Sequence, residues 1–148
     1  MAYQRVIAEN RKARHDYHIE ETYEAGIVLE GSEVKSAKLG RVSIQDAFVR
    51  PKDGELYIYN MHIAPYDKTS VFKPDPKRPR KLLLHRREID RIIGKITMRG
   101  YTAIPLKVIN KRGWIKVIIA LAKGKKKYEK KEAIKARDIE RAMRRGEY

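Results

Sequence analysis

The sequence predicts a mainly β fold: a small antiparallel β-barrel with short flanking helices and a basic C-terminal tail. Three observations carry this expectation. Short runs rich in Ile, Val and Tyr recur along the chain, turn residues separate several of them, and only one long segment spaces its apolar residues at a helical period. With 148 residues, the chain has the usual size of one domain around one core.

Taken in order, Tyr17 and Ile19, Ile27 and Leu29, Leu56 to Tyr59, Ile104 to Ile109 and Trp114 to Leu121 read as strands. Asp53-Gly54 and Lys111-Arg112-Gly113 supply the positive-φ positions of hairpin turns, so 104–109 and 115–121 should pair antiparallel. A short helix is expected to start at Gly31-Ser32 with Ser32 as N-cap and to end at Gly40, burying Val34 and Leu39. Pro65, Pro74, Pro76 and Pro79 make 65–79 an irregular, exposed connection. In KLLLHRREIDRIIGKI, residues 81–96, the spacing of Leu82, Leu83, Ile89, Ile92 and Ile93 predicts a helix with Gly94 as its C-cap. Short strands, one packed helix and one long basic loop together suggest a closed or nearly closed barrel of the oligonucleotide-binding type. The organisation expected is a domain at 1–123 and a tail at 124–148. From 123 onward, seven lysines and four arginines face four glutamates and one aspartate, with few large apolar groups. Such a segment cannot offset its own ordering entropy and should be disordered alone, yet its glycine- and proline-free stretch is ready to become helical on a surface.

Charge is the strongest global signal, since 35 basic against 19 acidic side chains leave a net +16. An excess of that size points to a polyanionic partner, nucleic acid before an anionic membrane. No apolar run approaches a bilayer span and the N-terminus lacks a signal-type apolar stretch, which together predict a cytoplasmic protein. The absence of cysteine excludes disulfides, thiolate metal sites and cysteine catalysis. Many charged residues and only five side-chain amides resemble the balance found in proteins of hot environments.

Among polar residues, His15, Asp16 and His18 invite a catalytic or metal reading, but no third ligand lies at a useful spacing, and no nucleophile or phosphate-loop motif occurs. Neither enzyme activity, a metal nor a cofactor is expected. Basic and aromatic residues interleave far more richly: Arg11, Lys12 and Arg14 before His15 and Tyr17; Lys73, Lys77, Arg78, Arg80 and Lys81 around the prolines; Lys123, Lys125, Lys126 and Lys127 before Tyr128. Cations that neutralise phosphates beside rings that stack on bases are the equipment for recognising folded RNA. On these grounds alone a general RNA-binding barrel fits, and an RNA-processing enzyme using His15 and Asp16 is the second rival.

Five blocks, NRKARHDY at 10–17, EAGIVLEGSEVKS at 24–36, APY at 64–66, RKLLLH at 80–85 and ALAKGKK at 120–126, resemble in order and spacing the SsrA-binding protein (SmpB) family. The resemblance implies an oligonucleotide-binding-type barrel that binds transfer-messenger RNA in trans-translation, the rescue of ribosomes stalled on messages without a stop codon. It implies an RNA-facing surface of Asn10, Arg11, Arg14, His15, Tyr17, Glu24 and Lys35, with Leu82, Leu83 and Leu84 supporting or touching it and Lys116, Lys123, Lys125 and Lys126 holding phosphates. It also implies a tail, here Tyr128, Glu129, Lys130, Lys131, Ile134 and Lys135, that becomes helical in the empty message channel of the small ribosomal subunit. The start of this tail departs from the family's commoner Asp-Lys-Arg. Elongation factor Tu would be met indirectly, through the RNA, and a monomer is expected.

Overall fold

The computed structural model describes residues 4–66, 74–98 and 100–125. Nine strands and three helices follow in the order β1 (Gln4–Glu9), α1 (Ala13–Asp16), β2 (Tyr17–Ile27), α2 (Gly31–Lys38), β3 (Val42–Ser43), β4 (Phe48–Lys52), β5 (Glu55–Tyr59), β6 (His62–Ile63), β7 (Arg80–Leu83), α3 (Arg86–Ile96), β8 (Tyr101–Lys111) and β9 (Trp114–Gly124). The expected tail, including Lys126, Tyr128, Glu129, Lys130, Lys131, Ile134 and Lys135, lies outside the described residues.

The fold is mainly β, built on a seven-stranded antiparallel sheet in the order β1-β8-β4-β5-β7-β2-β9, with β8 also paired to β9. The pairing therefore runs from β8 through β4, β5, β7, β2 and β9 back to β8. The seams differ in quality. The pairings of β9 with β2 and β8 run nearly its whole length, whereas β4 meets β8 only at Val49 and Ala103 and β2 meets β7 only at Gly26↔Leu83 and Ile27↔Leu82. The short strands β4, β5 and β7 cannot extend those seams, so the sheet rolls up without becoming a regular barrel.

Both hairpins form where the turn residues stand. Asp53 and Gly54 have φ of 53° and 76°, and Arg112 and Gly113 have 53° and 87°, giving each tight turn two left-handed residues that match strand twist. Strands β1 and β4 show no clear apolar alternation and are not among the strands expected above; β1 is fixed by its long-range partner β8, and β4 by the local hairpin with β5 plus one pair to β8.

The helices depart from expectation at their ends. Helix α2 starts two residues earlier than a Ser32 cap allows, because Glu30 is the cap: its backbone N–H donates to the Glu33 carboxylate at 2.8 Å in a capping box. Val34 packs partly against the core, but Leu39 is 58% exposed. Helix α3 begins only at Arg86, with His85 as cap and Glu88 accepting from the His85 N–H at 3.1 Å. Leu82 and Leu83 thus belong to strand β7, where alternation buries the first and exposes the second. Gly94 lies inside the helix, which runs on to Ile96. The core fills the inside of the rolled sheet with Leu56, Ile58, Met61, Leu82, Val117 and Ile119 and is closed by Ile89 and Ile92 of α3. Full burial of side chains of this size stabilises by about 1.5–3 kcal/mol each.

Candidate nucleic-acid interface

Strand β9 sorts the candidate residues, since alternate residues of a strand point to opposite sides. Its odd positions, Val117 and Ile119 among them, face the core. Its even positions lie on the other side, which is open at Trp114, Lys116 and Ile118 and covered over Ala120 and Ala122, and the register places beside them Tyr17 (opposite Gly124), Ile19 (Ala122), Thr22 (Ala120), Glu24 (Ile118) and Gly26 (Lys116). A bulge between Ile19 and Glu21 makes this possible, because the extra residue lets Tyr17 and Glu24 share one side although they are seven residues apart. On the other flank, a bulge between Pro105 and Lys107 brings Lys107, Ile109 and Lys111 to the same side as Lys116 and Trp114. Leu83, half exposed, stands opposite Gly26 and extends the row onto β7. One outward face therefore joins Tyr17, Glu24, Leu83 and Lys116 from the expected set, with Lys107 and Lys111 in addition.

At one end of this face the turn and short helix between β1 and β2 dock onto β8. Asn10 donates from its backbone to Leu106 O at 2.8 Å and from its side chain to Pro105 O at 3.2 Å. Its amide thereby fixes the turn at the bulge. Ala13 is buried with Ile104 and Ala120, and Tyr17, Ile19 and Leu106 pack against them in a small satellite cluster. Arg11 and Arg14 are exposed beside Lys107 around an open hollow of about 370 Å³, also lined by Glu9, Asn10 and Leu106. Three cations around one hollow suit a phosphate. His15 Nδ1 lies 2.9 Å from Asp16 Oδ1, and the Lys125 N–H donates to Asp16 O at 2.8 Å, so the end of β9 is tied to the end of α1.

Other expected residues take different places. Glu24 accepts from the Lys111 ammonium at 3.2 Å, with both side chains part-exposed. Leu82 is wholly buried in the core and Leu84 packs against it, so both support the face from beneath. Lys123, at an odd position, points to the opposite side, where its ammonium lies 4.5 Å from the centre of the Tyr101 ring. Lys35 sits on α2 with its ammonium 5.4 Å from the Tyr66 ring. Within the basic run around the prolines, Arg80 is fully buried and Arg78 partly so. Both bind the buried Glu33, Arg80 Nε at 2.7 Å and Arg78 Nη2 at 2.5 Å. These two cations are internal counterions, not phosphate ligands, a role invisible without the packing of α2. Burial would raise the Glu33 pKa, but the hydrogen bonds from Arg78, the Glu30 N–H and Arg80 outweigh it and hold the carboxyl below its usual value. Burial likewise draws the Arg80 pKa down.

On the side away from the outward row, Arg91 of α3 donates from Nε to Glu21 at 3.0 Å, and the Tyr23 hydroxyl donates to the same carboxylate. These bonds, Arg91 first, lower the Glu21 pKa to about 2. Among the described residues no group of three or more His, Cys, Asp or Glu could hold a metal ion, and no helix is long and apolar enough to cross a membrane.

Comparison with known proteins identifies the family. The family model described as SmpB protein matches residues 7–147. The SsrA-binding protein of Coprothermobacter proteolyticus is 62% identical over 143 residues, covering 95% of both chains. That of Caldicellulosiruptor bescii is 58% identical over 141 residues, covering 95% of this chain and 89% of its own. A chain of the solved structure "tmRNA-SmpB: a journey to the center of the bacterial ribosome" superposes with a TM-score of 0.67 at 52% identity, covering 85% of this chain and 92% of that one. This chain belongs to the SmpB family.

Proposed function

We propose that this chain binds transfer-messenger RNA through its outward sheet face and brings it to ribosomes stalled on messages without a stop codon. The single observation that carries the reading is the gathering of Tyr17, Glu24, Leu83 and Lys116 on one side of the sheet, flanked by Lys107 and Lys111. Lys107, Lys111 and Lys116 hold phosphates, as do Arg11 and Arg14 at the hollow. Leu83 and the open edge of Tyr17 meet bases or sugars, and Glu24 either orients Lys111 or accepts from a guanine edge. The circuit of strand pairings supports the oligonucleotide-binding type of barrel for this grip.

Binding of this kind moves no bonds, and the protein acts as a carrier in the cytoplasm, without cofactor and as a monomer, meeting elongation factor Tu only through the RNA. Residues 124–148 serve as the ribosome sensor: basic and poor in large apolar groups, they order as a helix only when ribosomal RNA supplies countercharge in an empty message channel. Because Gly124 still pairs with Tyr17 and Lys125 bonds Asp16, the grip is best tested with a chain stopped after Lys125.

The experiment compares full and shortened chains for binding to transfer-messenger RNA against bulk tRNA, and then for peptide tagging on stalled ribosomes. The expected result is that shortening spares selective RNA binding and abolishes tagging. A full chain without selectivity would leave only a general RNA-binding protein.

A further inference from the structure

Trp114, the sole tryptophan of the chain, opens β9 with 70% of its surface exposed. An aromatic side chain of this size ordinarily buries 150–250 Å², roughly, in a core or an interface. A single exposed apolar residue needs no explanation by itself, but the position of this one is specific. It stands opposite Lys111 in the β8–β9 register and two residues before Lys116 on the same outward side, about 6.6 Å along the strand. Arg112, in the turn just before it, is exposed as well.

Among the described residues, the other partly exposed rings apart from Tyr17 and Tyr23 are engaged by a ring or a cation. Phe48 stacks on Tyr59 and lies under Arg50, Tyr57 under Lys52, Tyr66 under Lys35, and Tyr101 between Lys95 and Lys123. Among the described residues no ring stacks on Trp114 and no cation covers it. The exposed part of the indole therefore has no ring or cation partner among the described residues, at the end of a row already charged for phosphate, and its register partner Lys111 pairs with Glu24.

We propose that Trp114 is a stacking platform for an unpaired nucleobase of the bound transfer-messenger RNA, with Lys111, Arg112 and Lys116 holding the adjoining phosphates. The platform rests on the function proposed above and extends that face to the hairpin tip. Base–aromatic stacking needs no hydrogen-bond code, so Trp114 adds affinity and register rather than base identity.

Since no other tryptophan contributes, intrinsic fluorescence of the full chain reads Trp114 alone. Titration with transfer-messenger RNA transcript should quench that emission in parallel with binding followed independently by gel shift. Trp114→Ala should weaken binding by about 5- to 150-fold with little change in its salt dependence, whereas Trp114→Phe should stay within about threefold of the parent. The platform is overturned if transfer-messenger RNA binds by gel shift while Trp114 emission is unchanged, or if Trp114→Ala binds like the parent. Either result leaves the RNA-binding function standing. Quenching that appears only when small ribosomal subunits are added would move the contact to ribosomal RNA and equally overturn it. Absence of any saturable binding by the unaltered chain would remove the function and the platform together.

Discussion

Replacing Glu33 by glutamine should destabilise this protein more than any surface change, and the structure sets the size of the loss. The carboxylate is 3% exposed and its partner Arg80 is fully buried. It accepts from Arg80 at 2.7 and 2.6 Å, from Arg78 at 2.5 and 3.2 Å and from the Glu30 N–H at 2.8 Å. Glutamine keeps the shape but removes the charge and turns one acceptor into a donor, so Arg80 is left buried without a counterion, with Met61 O, Pro76 O and at most one amide oxygen, which Arg78 also seeks, to receive its protons. Breaking one side of a buried pair costs about 3–5 kcal/mol. Domains are held by about 5–15 kcal/mol in total. At about 4 °C per kcal/mol for a chain of this size, the melting temperature should fall by about 12–20 °C. Thermal unfolding followed by circular dichroism at neutral pH and moderate salt measures it. The double variant Glu33→Leu with Arg80→Met, which removes both buried charges, should recover part of the loss. A Glu33→Gln protein melting within about 3 °C of the parent would refute the reasoning, because the carbonyl contacts of Arg80 would then suffice on their own.

Three further outcomes follow from the same geometry. Glu21 is held at about 2 against an ordinary 4.5, so its ionisation favours the fold above pH 4.5 and that contribution is lost as pH falls through 4.5 toward 2. Glu21→Gln should flatten the melting-temperature profile in that window, and a profile parallel to the parent would contradict it. A Cβ at Gly26 would meet Leu83 Cβ at 3.2 Å. Because that atom is fixed to the β7 backbone, the β2–β7 seam must give by a few tenths of an ångström, so Gly26→Ala should cost about 1–3 kcal/mol of stability while weakening transfer-messenger RNA binding by displacing Leu83. Unchanged affinity would remove Leu83 from the contact surface. The part-exposed Glu24–Lys111 pair contributes at most about 1 kcal/mol, so Glu24→Gln should melt close to the parent yet bind the RNA more weakly; full affinity would exclude a contact between this carboxylate and a base.

What the sequence could reveal follows the range of the forces involved. The two hairpin turns, the strands at 104–109 and 115–121 and the helix through Ile89 and Ile92 were legible because turn chemistry and apolar period are local. The ends of both longer helices were not. The cap of α2 is a glutamate reaching three residues forward, and the start of α3 depends on β7 pairing with β2 and β5, which recruits Leu82 and Leu83 into a strand. Likewise Arg78 and Arg80 are indistinguishable by composition from their neighbours Lys77 and Lys81; only the arrival of Glu33, more than forty residues away, separates internal counterions from free cations. The family blocks contain Tyr17, Glu24 and Leu83, and the resemblance implies Lys116 beside them. They did not show that these share one side, because that depends on two bulges without a turn signal.

Those bulges make β9 the ruler of the face and its neighbours two scales that each slip by one notch. Loss of Glu20 from β2 or of Leu106 from β8 would restore simple alternation without moving either strand out of phase. Tyr17 would stay opposite Gly124 and Lys107 opposite Ile118, each on its present side. Point substitutions tune such a surface residue by residue, and removal of a bulged residue leaves its contents in place, whereas one further inserted residue needs a second bulge or turns half of a strand to the other side. The spacing of the face is therefore a constraint on chain length within two strands, independent of which side chains they carry.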